Sequence, residues 1–210
     1  MRLDGPLNDL FETRSHVRVL RALDQLPFGF PVSAREVARR AGVSHPTAST
    51  VLASLRDQGV VEVRRAPRAD AFELNRDHAA AERLRALFEW ERKVREELVS
   101  FLRDEVKRIP DSISAAILFG SAVGAEMTPA SDIDIAVFCE PNTVESVTAA
   151  MQEVGEAVRR RFGNRLSVVV APAPLDQLLR SGRKGFRLWR RIAREGVPVF
   201  GSLGTEAVDA

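Results

Sequence analysis

Residues 117–137 read ILFGSAVGAEMTPASDIDIAV and combine two apolar runs with two polar features. The first run ends at Phe119-Gly120-Ser121, and the pair Asp132-Ile133-Asp134 follows after ten residues. Short apolar runs bordered by polar or turn residues are typical of buried strands. The pattern predicts strands at Ile113–Phe119 and Ile133–Cys139, with a turn after the first strand and two carboxylates at the start of the second.

The two carboxylates suit a metal ion. Side chains alternate along a strand, so Asp132 and Asp134 share one face, while Ile133 and Ile135 point into the core. Two like charges this close repel each other unless a divalent cation lies between them. The alternative is a solvated strand edge or turn.

Gly120 and Ser121 suit a phosphate. Gly120 permits close approach of the backbone, and we expect Ser121 to begin a short helix whose free N–H groups can bind an anion. Together with Asp132 and Asp134, these residues predict a site for a metal-bound nucleoside triphosphate.

Charge is unevenly distributed along the chain. The 210 residues contain 31 Lys and Arg against 29 Asp and Glu, so the net charge of +2 excludes a polycation that binds nucleic acid by charge alone. Residues 109–158 contain eight acidic and no basic side chains, whereas residues 159–210 contain eleven basic and four acidic ones. The acidic segment favours a cation site. The basic segment is either a solvated surface that offsets it or a contact for triphosphate or nucleic acid.

The remaining composition favours a cytoplasmic protein without a membrane partner. The one cysteine, Cys139, excludes an intrachain disulfide and suggests a reducing compartment. No apolar run reaches the ~18 residues of a membrane-spanning helix. The absence of Tyr excludes tyrosine-based chemistry.

The N-terminal third has the pattern of a helix-turn-helix followed by a hairpin. Helical spacing covers residues 11–26, and Ser33 and Ser44 are expected to cap helices at 33–41 and 45–58. Residues 60–74 read as strand, turn and strand.

This arrangement predicts contact with double-stranded DNA, since a helix of this size fits the major groove and its first residues face base edges. Protein docking or a spacer role is the alternative. The expected DNA-binding residues are Ser44, His45, Thr47, Ser49 and Thr50 on the second helix, and Arg64, Arg65 and Arg68 on the hairpin for phosphate or minor-groove contact.

The second half alternates between helix and strand. After a long amphipathic helix over 77–108, helices are expected at 144–162, 175–180 and 186–195, with a strand at 166–171, which favours a sheet backed by helices. The long helix either packs with the second domain or forms a dimer. We expect a first domain at 1–77, a connecting helix at 78–108, a second domain at 109–203 and a flexible tail at 204–210.

Two families are suggested by these motifs. Residues 10–76 resemble the winged-helix family of bacterial transcription regulators, through the helix-turn-helix, its turn glycines and the basic hairpin. Residues 82–203 resemble small members of the polymerase-β-like nucleotidyltransferase superfamily, through Gly120-Ser121 and Asp132-Ile133-Asp134. The fold class expected is therefore α/β (α+β), with an N-terminal winged helix-turn-helix and a C-terminal mixed sheet backed by helices.

The second resemblance implies transfer of a nucleoside monophosphate from a Mg²⁺ (or Mn²⁺) nucleoside triphosphate to a hydroxyl group. It implies that Asp132 and Asp134 are the catalytic metal ligands and that Gly120 and Ser121 bind phosphates. The sequence departs from the family twice. Ser167 stands where the family has a third carboxylate, with Asp176 the nearest acid, and Gly124 stands where small members have an arginine.

We therefore expect a DNA-binding regulator, assembled as a homodimer, whose second domain binds a metal-nucleotide and has lost turnover. The alternative is an active Mg²⁺-dependent enzyme that modifies a protein, a nucleic acid or a small molecule. An antitoxin-like protein that binds a partner protein is a third reading.

Overall fold

The computed structural model describes residues 5–65, 69–110, 113–124, 127–128, 130–180 and 186–202. Its contacts divide the chain into two compact units, Met1–Lys93 and Val94–Ala210. The described helices are α1 (Pro6–Leu10), α2 (Arg14–Asp24), α3 (Ala34–Ala41), α4 (His45–Asp57), α5 (Ala81–Arg108), α6 (Val144–Phe162), α7 (Leu175–Arg180) and α8 (Phe186–Glu195). The described strands are β1 (Val32–Ser33), β2 (Val61–Arg64), β3 (Ala71–Leu74), β4 (Ile113–Phe119), β5 (Ile133–Cys139), β6 (Leu166–Ala171) and β7 (Val197–Phe200).

Serine caps begin the two helices of the helix-turn-helix. The hydroxyl of Ser33 accepts a hydrogen bond from the Glu36 amide at 3.3 Å, and Ser44 accepts from the Thr47 amide at 3.2 Å. Each bond satisfies one of the amides that a helix start leaves unpaired. Gly42 ends α3 at φ 63°, a left-handed conformation that costs glycine little. The predicted helix-turn-helix is confirmed.

The hairpin of the first unit is part of a three-stranded sheet in the order β1-β3-β2. β2 and β3 pair antiparallel, as predicted, and the two-residue strand β1 adds to the other side of β3. The sequence does not predict β1, because two residues are too few to show an alternating pattern.

The long helix α5 divides its apolar side chains between the two cores. Leu84 and Phe88 are buried in the first core, while Leu98, Leu102 and Val106 are buried in the second. Leu87 shares the apolar spacing but is 45 % exposed. Amphipathic spacing alone therefore does not tell which core each turn of this helix joins.

The second unit is a four-stranded mixed sheet between two layers of helices. The strand order is β6-β5-β4-β7, with β5 and β6 parallel and the other neighbours antiparallel. Helix α6 connects β5 to β6, as parallel strands require. One face packs against α5 and α6, and the other against α7 and α8. The predicted fold class is confirmed, and β7 is a strand that the sequence analysis did not predict.

None of the helices in the described ranges is long and apolar enough to span a membrane.

Candidate nucleotide site and candidate DNA interface

The Asp132 and Asp134 carboxylates lie at the amino end of β5. Ile133 and Ile135 are buried on the opposite side, while Asp132 is exposed and Asp134 half-buried. Within the described residues, neither aspartate forms an ion pair or a side-chain hydrogen bond. Among the described residues, the start of β5 therefore presents two carboxylates that have no cationic partner.

The backbone at Gly120 lies directly against one of these carboxylates. A methyl group at Gly120 would lie 2.3 Å from Oδ2 of Asp134 and 3.2 Å from its Cγ, and the backbone at Gly120 has φ 70°. Only glycine fits both requirements without strain. The tight contact fixes the Gly-Ser turn beside the aspartates.

The predicted short helix after the first strand is a single 3-10 turn of three residues, Gly120–Ala122, and it begins one residue earlier than expected. The Ser121 hydroxyl donates a hydrogen bond to the Asp132 carbonyl at 3.3 Å, which ties the turn to the start of β5.

Ser167 is the direct neighbour of Asp134 in the sheet. In the parallel pairing of β5 and β6, Asp134 is in register with Ser167. This strand register brings a hydroxyl group, and no carboxylate, next to the half-buried aspartate. A hydroxyl has a pKa far above neutral, so Ser167 cannot act as a carboxylate base.

The pair of carboxylates suits a divalent cation that is shared with phosphate. Mg²⁺ is commonly held by one or two carboxylates together with substrate phosphates. Among the described residues, no cluster of three or more Asp, Glu, His or Cys side chains could hold a metal ion by itself. Asp176 lies in α7, which begins beyond the carboxyl end of β6, and so does not complete the pair.

Arg95 contacts the loop that follows the Gly-Ser turn, and the sequence does not predict this contact. Its Nη1 donates to the Val123 carbonyl and its Nη2 to the Gly124 carbonyl, both at 3.0 Å. Gly124 is the position at which an arginine was expected. Arg95 belongs to a helix nearly thirty residues earlier in the chain, and its spacing in the sequence carries no signal of this contact.

In the first unit, the predicted base-contacting residues lie together on the first two turns of α4. Ser44, His45 and Thr50 are exposed, whereas Thr47 and Ser49 are half-buried. Two of the hydroxyl groups already have local partners: Ser44 Oγ and Thr47 Oγ1 are 2.7 Å apart.

A third hydroxyl is also engaged, because Thr50 Oγ1 donates to the Pro46 carbonyl at 3.1 Å. Of the exposed side chains predicted to contact bases, Ser44 and Thr50 have local hydrogen bonds. His45 has none within the described residues.

The three predicted arginines of the hairpin have different surroundings. Arg64 lies 2.6 Å from Glu73, whose side chain is 10 % exposed. Arg65 is exposed next to the end of β2, and Arg68 lies outside the described residues. Arg64 therefore compensates a buried carboxylate, while Arg65 is available to a phosphate.

Arg39 and Arg40 form hydrogen bonds within their own helix, α3. Both hydrogen-bond to the Glu36 carboxylate, at distances of 2.5–2.8 Å. The hydrogen bonds from Arg39 and then Arg40 lower the pKa of Glu36 to about 2. These two arginines therefore form part of a solvated face of α3.

We expect Arg64→Ala to destabilise the first unit by about 1–3 kcal/mol, since it leaves the buried Glu73 carboxylate without a partner. Thermal unfolding checks this, with Arg65→Ala as the control that removes an equal charge at little cost. Adding Glu73→Gln to Arg64→Ala should restore much of the loss. Equal melting temperatures for the two arginine variants would contradict the structural role of Arg64.

Two family models match this chain. Residues 13–70 match the MarR family, and residues 96–174 match polymerase beta, nucleotidyltransferase. The chain thus joins a winged helix-turn-helix domain of the MarR type to a nucleotidyltransferase domain of the polymerase-β type. The first match covers the helix-turn-helix and the first strand of its hairpin, and the second covers strands β4 to β6, including Asp132 and Asp134.

Several solved structures are similar to parts of the chain. One is the homodimeric winged helix-turn-helix DNA-binding domain of a possible ArsR-family regulator from Mycobacterium bovis, at 24 % identity and TM-score 0.32, covering 45 % of this chain and 79 % of that one. Another is a mutant of the toxin–antitoxin MntA-HpeT, at 22 % identity and TM-score 0.33. A third is a toxin–antitoxin with AMP-PNP, at 25 % identity and TM-score 0.34. Each of the latter two matches covers 51 % of this chain and 73 % of the other. No match was found among curated proteins.

Proposed function

We propose that this protein is a DNA-binding regulator whose second domain binds a Mg²⁺–nucleoside triphosphate and does not transfer the nucleotide. One observation carries the proposal: among the described residues, Asp132 and Asp134 have no cationic partner beside a tight Gly-Ser turn, and the strand neighbour of Asp134 is Ser167. The free carboxylates favour binding of a cation with phosphate. Ser167 beside Asp134 means that the described part of this sheet edge offers the acceptor hydroxyl no third carboxylate as a base.

In this proposal Asp132 and Asp134 hold the cation, and the backbone at Gly120 and Ser121 contacts the phosphates. A bound Mg²⁺ neutralises phosphate charge and orients the triphosphate. Ser167 donates or accepts a hydrogen bond at the edge of the site but does not remove a proton from an attacking hydroxyl group.

Equilibrium binding of a fluorescent nucleoside triphosphate to the full chain tests the first part of the proposal. We expect saturable binding with Mg²⁺ and little binding with EDTA. Equal affinity under both conditions would contradict a metal-nucleotide site.

Turnover is the alternative, and the match to the nucleotidyltransferase family favours it. Incubation with Mg²⁺ and labelled nucleoside triphosphates, alone and with cell lysate, separates the two readings. If label is transferred, and the transfer disappears in an Asp132→Asn, Asp134→Asn variant, the protein is an enzyme and the proposed regulator without turnover is contradicted. Binding without transfer supports the regulator.

Arg95 supports the same site by holding the loop after the Gly-Ser turn. We expect Arg95→Ala to weaken Mg²⁺–nucleotide binding by roughly 3–30-fold, the loss of about one charge-assisted hydrogen bond in partial exposure. Lys93→Ala, which removes a positive charge from the exposed surface of the same helix, should leave the affinity unchanged. If both variants bind equally well, Arg95 does not position this loop for the nucleotide.

For the first domain, α4 enters the major groove with His45 among the base-facing residues, and Arg65 contacts the phosphate backbone. A pool of random duplexes identifies the preferred site. Because two-fold operators mirror two-fold proteins, a homodimer should select a palindrome. Failure to enrich any duplex at physiological salt would count against DNA binding.

We expect Arg65→Ala to weaken binding to all duplexes by a similar factor and to reduce the slope of log affinity against log salt by about 1. Fluorescence anisotropy between about 50 and 200 mM salt measures this slope. Arg180→Ala, the loss of an exposed arginine in the second domain, is the matched control. An unchanged slope for Arg65→Ala would exclude a phosphate contact at this position.

A further inference from the structure

The outer edge of β6 is open in the part of the chain that the structure describes. β6 is the end strand of the sheet and pairs there only with β5. Its sequence, LSVVVA, contains no charge and no proline, which are the usual protections of an edge strand. The opposite edge strand, β7, has such a protection in Pro198.

Burial of the side chains agrees with an open edge. The apolar residues of the neighbouring strand β5 are all buried, whereas the four central residues of β6, Ser167–Val170, are half-buried. Val168 packs against the core on one face of the sheet and Val169 against the core on the other. Val168 also lines a groove beside α6, so the exposure of β6 lies on that face as well as along its unpaired side.

The direction of the backbone groups identifies which residues face outward. The Ile133 amide donates to the Arg165 carbonyl at 2.8 Å, so that carbonyl points toward β5. Because backbone groups alternate along a strand, the N–H and C=O of Leu166, Val168 and Val170 point away from the sheet. Another strand could pair with this row.

Helix α6, which lies beside this edge, has an acidic first turn and a basic last turn, so two copies of it would match in charge if they ran antiparallel. A groove of about 740 Å³ runs between β6 and α6, with Met151 and Val168 among its apolar residues. Helix α6 has the exposed Glu145 in its first turn and the exposed Arg159 and Arg160 in its last. In an antiparallel pair of β6 strands the two α6 helices would run antiparallel, with the acidic end of each nearest the basic end of the other.

We propose that β6 pairs antiparallel with β6 of a second copy of this chain, giving a continuous sheet across a two-fold axis. The open edge provides backbone hydrogen bonds, and the ends of α6 provide matched charges. This interface is independent of the proposed nucleotide and DNA contacts, so its failure would leave those proposals standing.

Amide hydrogen exchange, resolved by residue on the full chain at several protein concentrations, tests the pairing. We expect protection of Leu166, Val168 and Val170 to rise with concentration, while Ser167 and Val169, bonded within the sheet, stay protected throughout. Fast exchange of the outward amides at every concentration would overturn the proposal. Protection that is independent of concentration would also overturn it, because another segment of the same chain would then cover the edge.

A proline tests the same edge by mutation. Val168→Pro removes one outward N–H and no bond to β5, and should raise the dissociation constant of the dimer at least tenfold in sedimentation equilibrium. Val168→Thr keeps the N–H and should remain dimeric. If both variants dimerise like the wild type, β6 is not the interface.

A charge exchange provides a readout that does not depend on how proline affects folding. Arg159→Glu should weaken the dimer, and adding Glu145→Arg should restore it, because the pair is re-formed across the axis. A double variant that is as weak as Arg159→Glu alone, or a wild-type chain that stays monomeric at all concentrations, would contradict pairing through β6.

Discussion

Replacing Asp132 and Asp134 together by asparagine is expected to lower Mg²⁺-dependent affinity for a nucleoside triphosphate by roughly 100-fold or more. A contact with a charged group is worth about 1.5–3 kcal/mol, and each 1.4 kcal/mol is a factor of ten in affinity. Alternation along the strand places both aspartates on the same side of β5, and neither forms an ion pair within the described residues. In the described part of the chain, no cation offsets their charge. Titration with a fluorescent nucleotide in Mg²⁺ and in EDTA measures the effect.

The stability of the same variant separates a binding role from a structural one. Without metal, Asp132→Asn, Asp134→Asn should be at least as stable as the wild type, because two neighbouring like charges are removed. The matched control is Glu140→Gln with Glu153→Gln, two exposed acids from the same acidic segment. This control removes an equal charge and should bind normally. Metal-dependent affinity that survives the aspartate change would contradict the proposed site.

Gly120→Ala is expected to produce the second large effect, on stability and on nucleotide binding together. The added methyl group would meet Oδ2 of Asp134 at 2.3 Å, so the carboxylate or the turn must move. The left-handed backbone adds about 1–2 kcal/mol. Because the displaced groups are the carboxylate and the turn of the candidate site, we expect affinity for the Mg²⁺–nucleotide to fall by at least about tenfold, the equivalent of 1.4 kcal/mol.

Gly163→Ala is a matched control for this change. Gly163 has φ 83°, and a methyl group there would have no atom within 4 Å among the described residues. The Gly163→Ala variant should therefore be destabilised to a similar extent by its left-handed backbone, and its affinity for the nucleotide should be unchanged. Equal binding by the two alanine variants would show that Gly120 is required for folding alone. Unchanged stability of Gly120→Ala would contradict the tight contact with Asp134.

Much of the local structure follows from the order of residues. The serine caps at Ser33 and Ser44 and the apolar spacing of α4 involve residues three or four positions apart, so they can be recognised along the chain. The alternation around Asp132 and Asp134 is equally local. These patterns predicted the helix-turn-helix, the first three strands of the C-terminal sheet and the face that the two carboxylates share.

Strands without a local pattern were missed. β1 has two residues, and β7 contains Pro198, which does not fit the usual composition of a strand. Both are strands because a neighbouring strand supplies their hydrogen-bond partners. The predicted short helix at Ser121 is a 3-10 turn that starts at Gly120. Its start depends on the contact between Gly120 and Asp134 and on the bond from Ser121 to Asp132, which lie more than ten residues apart in the chain.

By itself, then, the sequence determined the two kinds of domain, their main elements and the aspartate pair, since each depends on neighbours along the chain. Tertiary structure alone decided that Ser167 is the strand neighbour of Asp134, that Arg95 holds the loop at Gly124, and that Arg64 compensates Glu73. The physical reason is that these contacts depend on strand register and on helix placement across many residues. A register shift of one residue would turn Ser167 to the other face of the sheet.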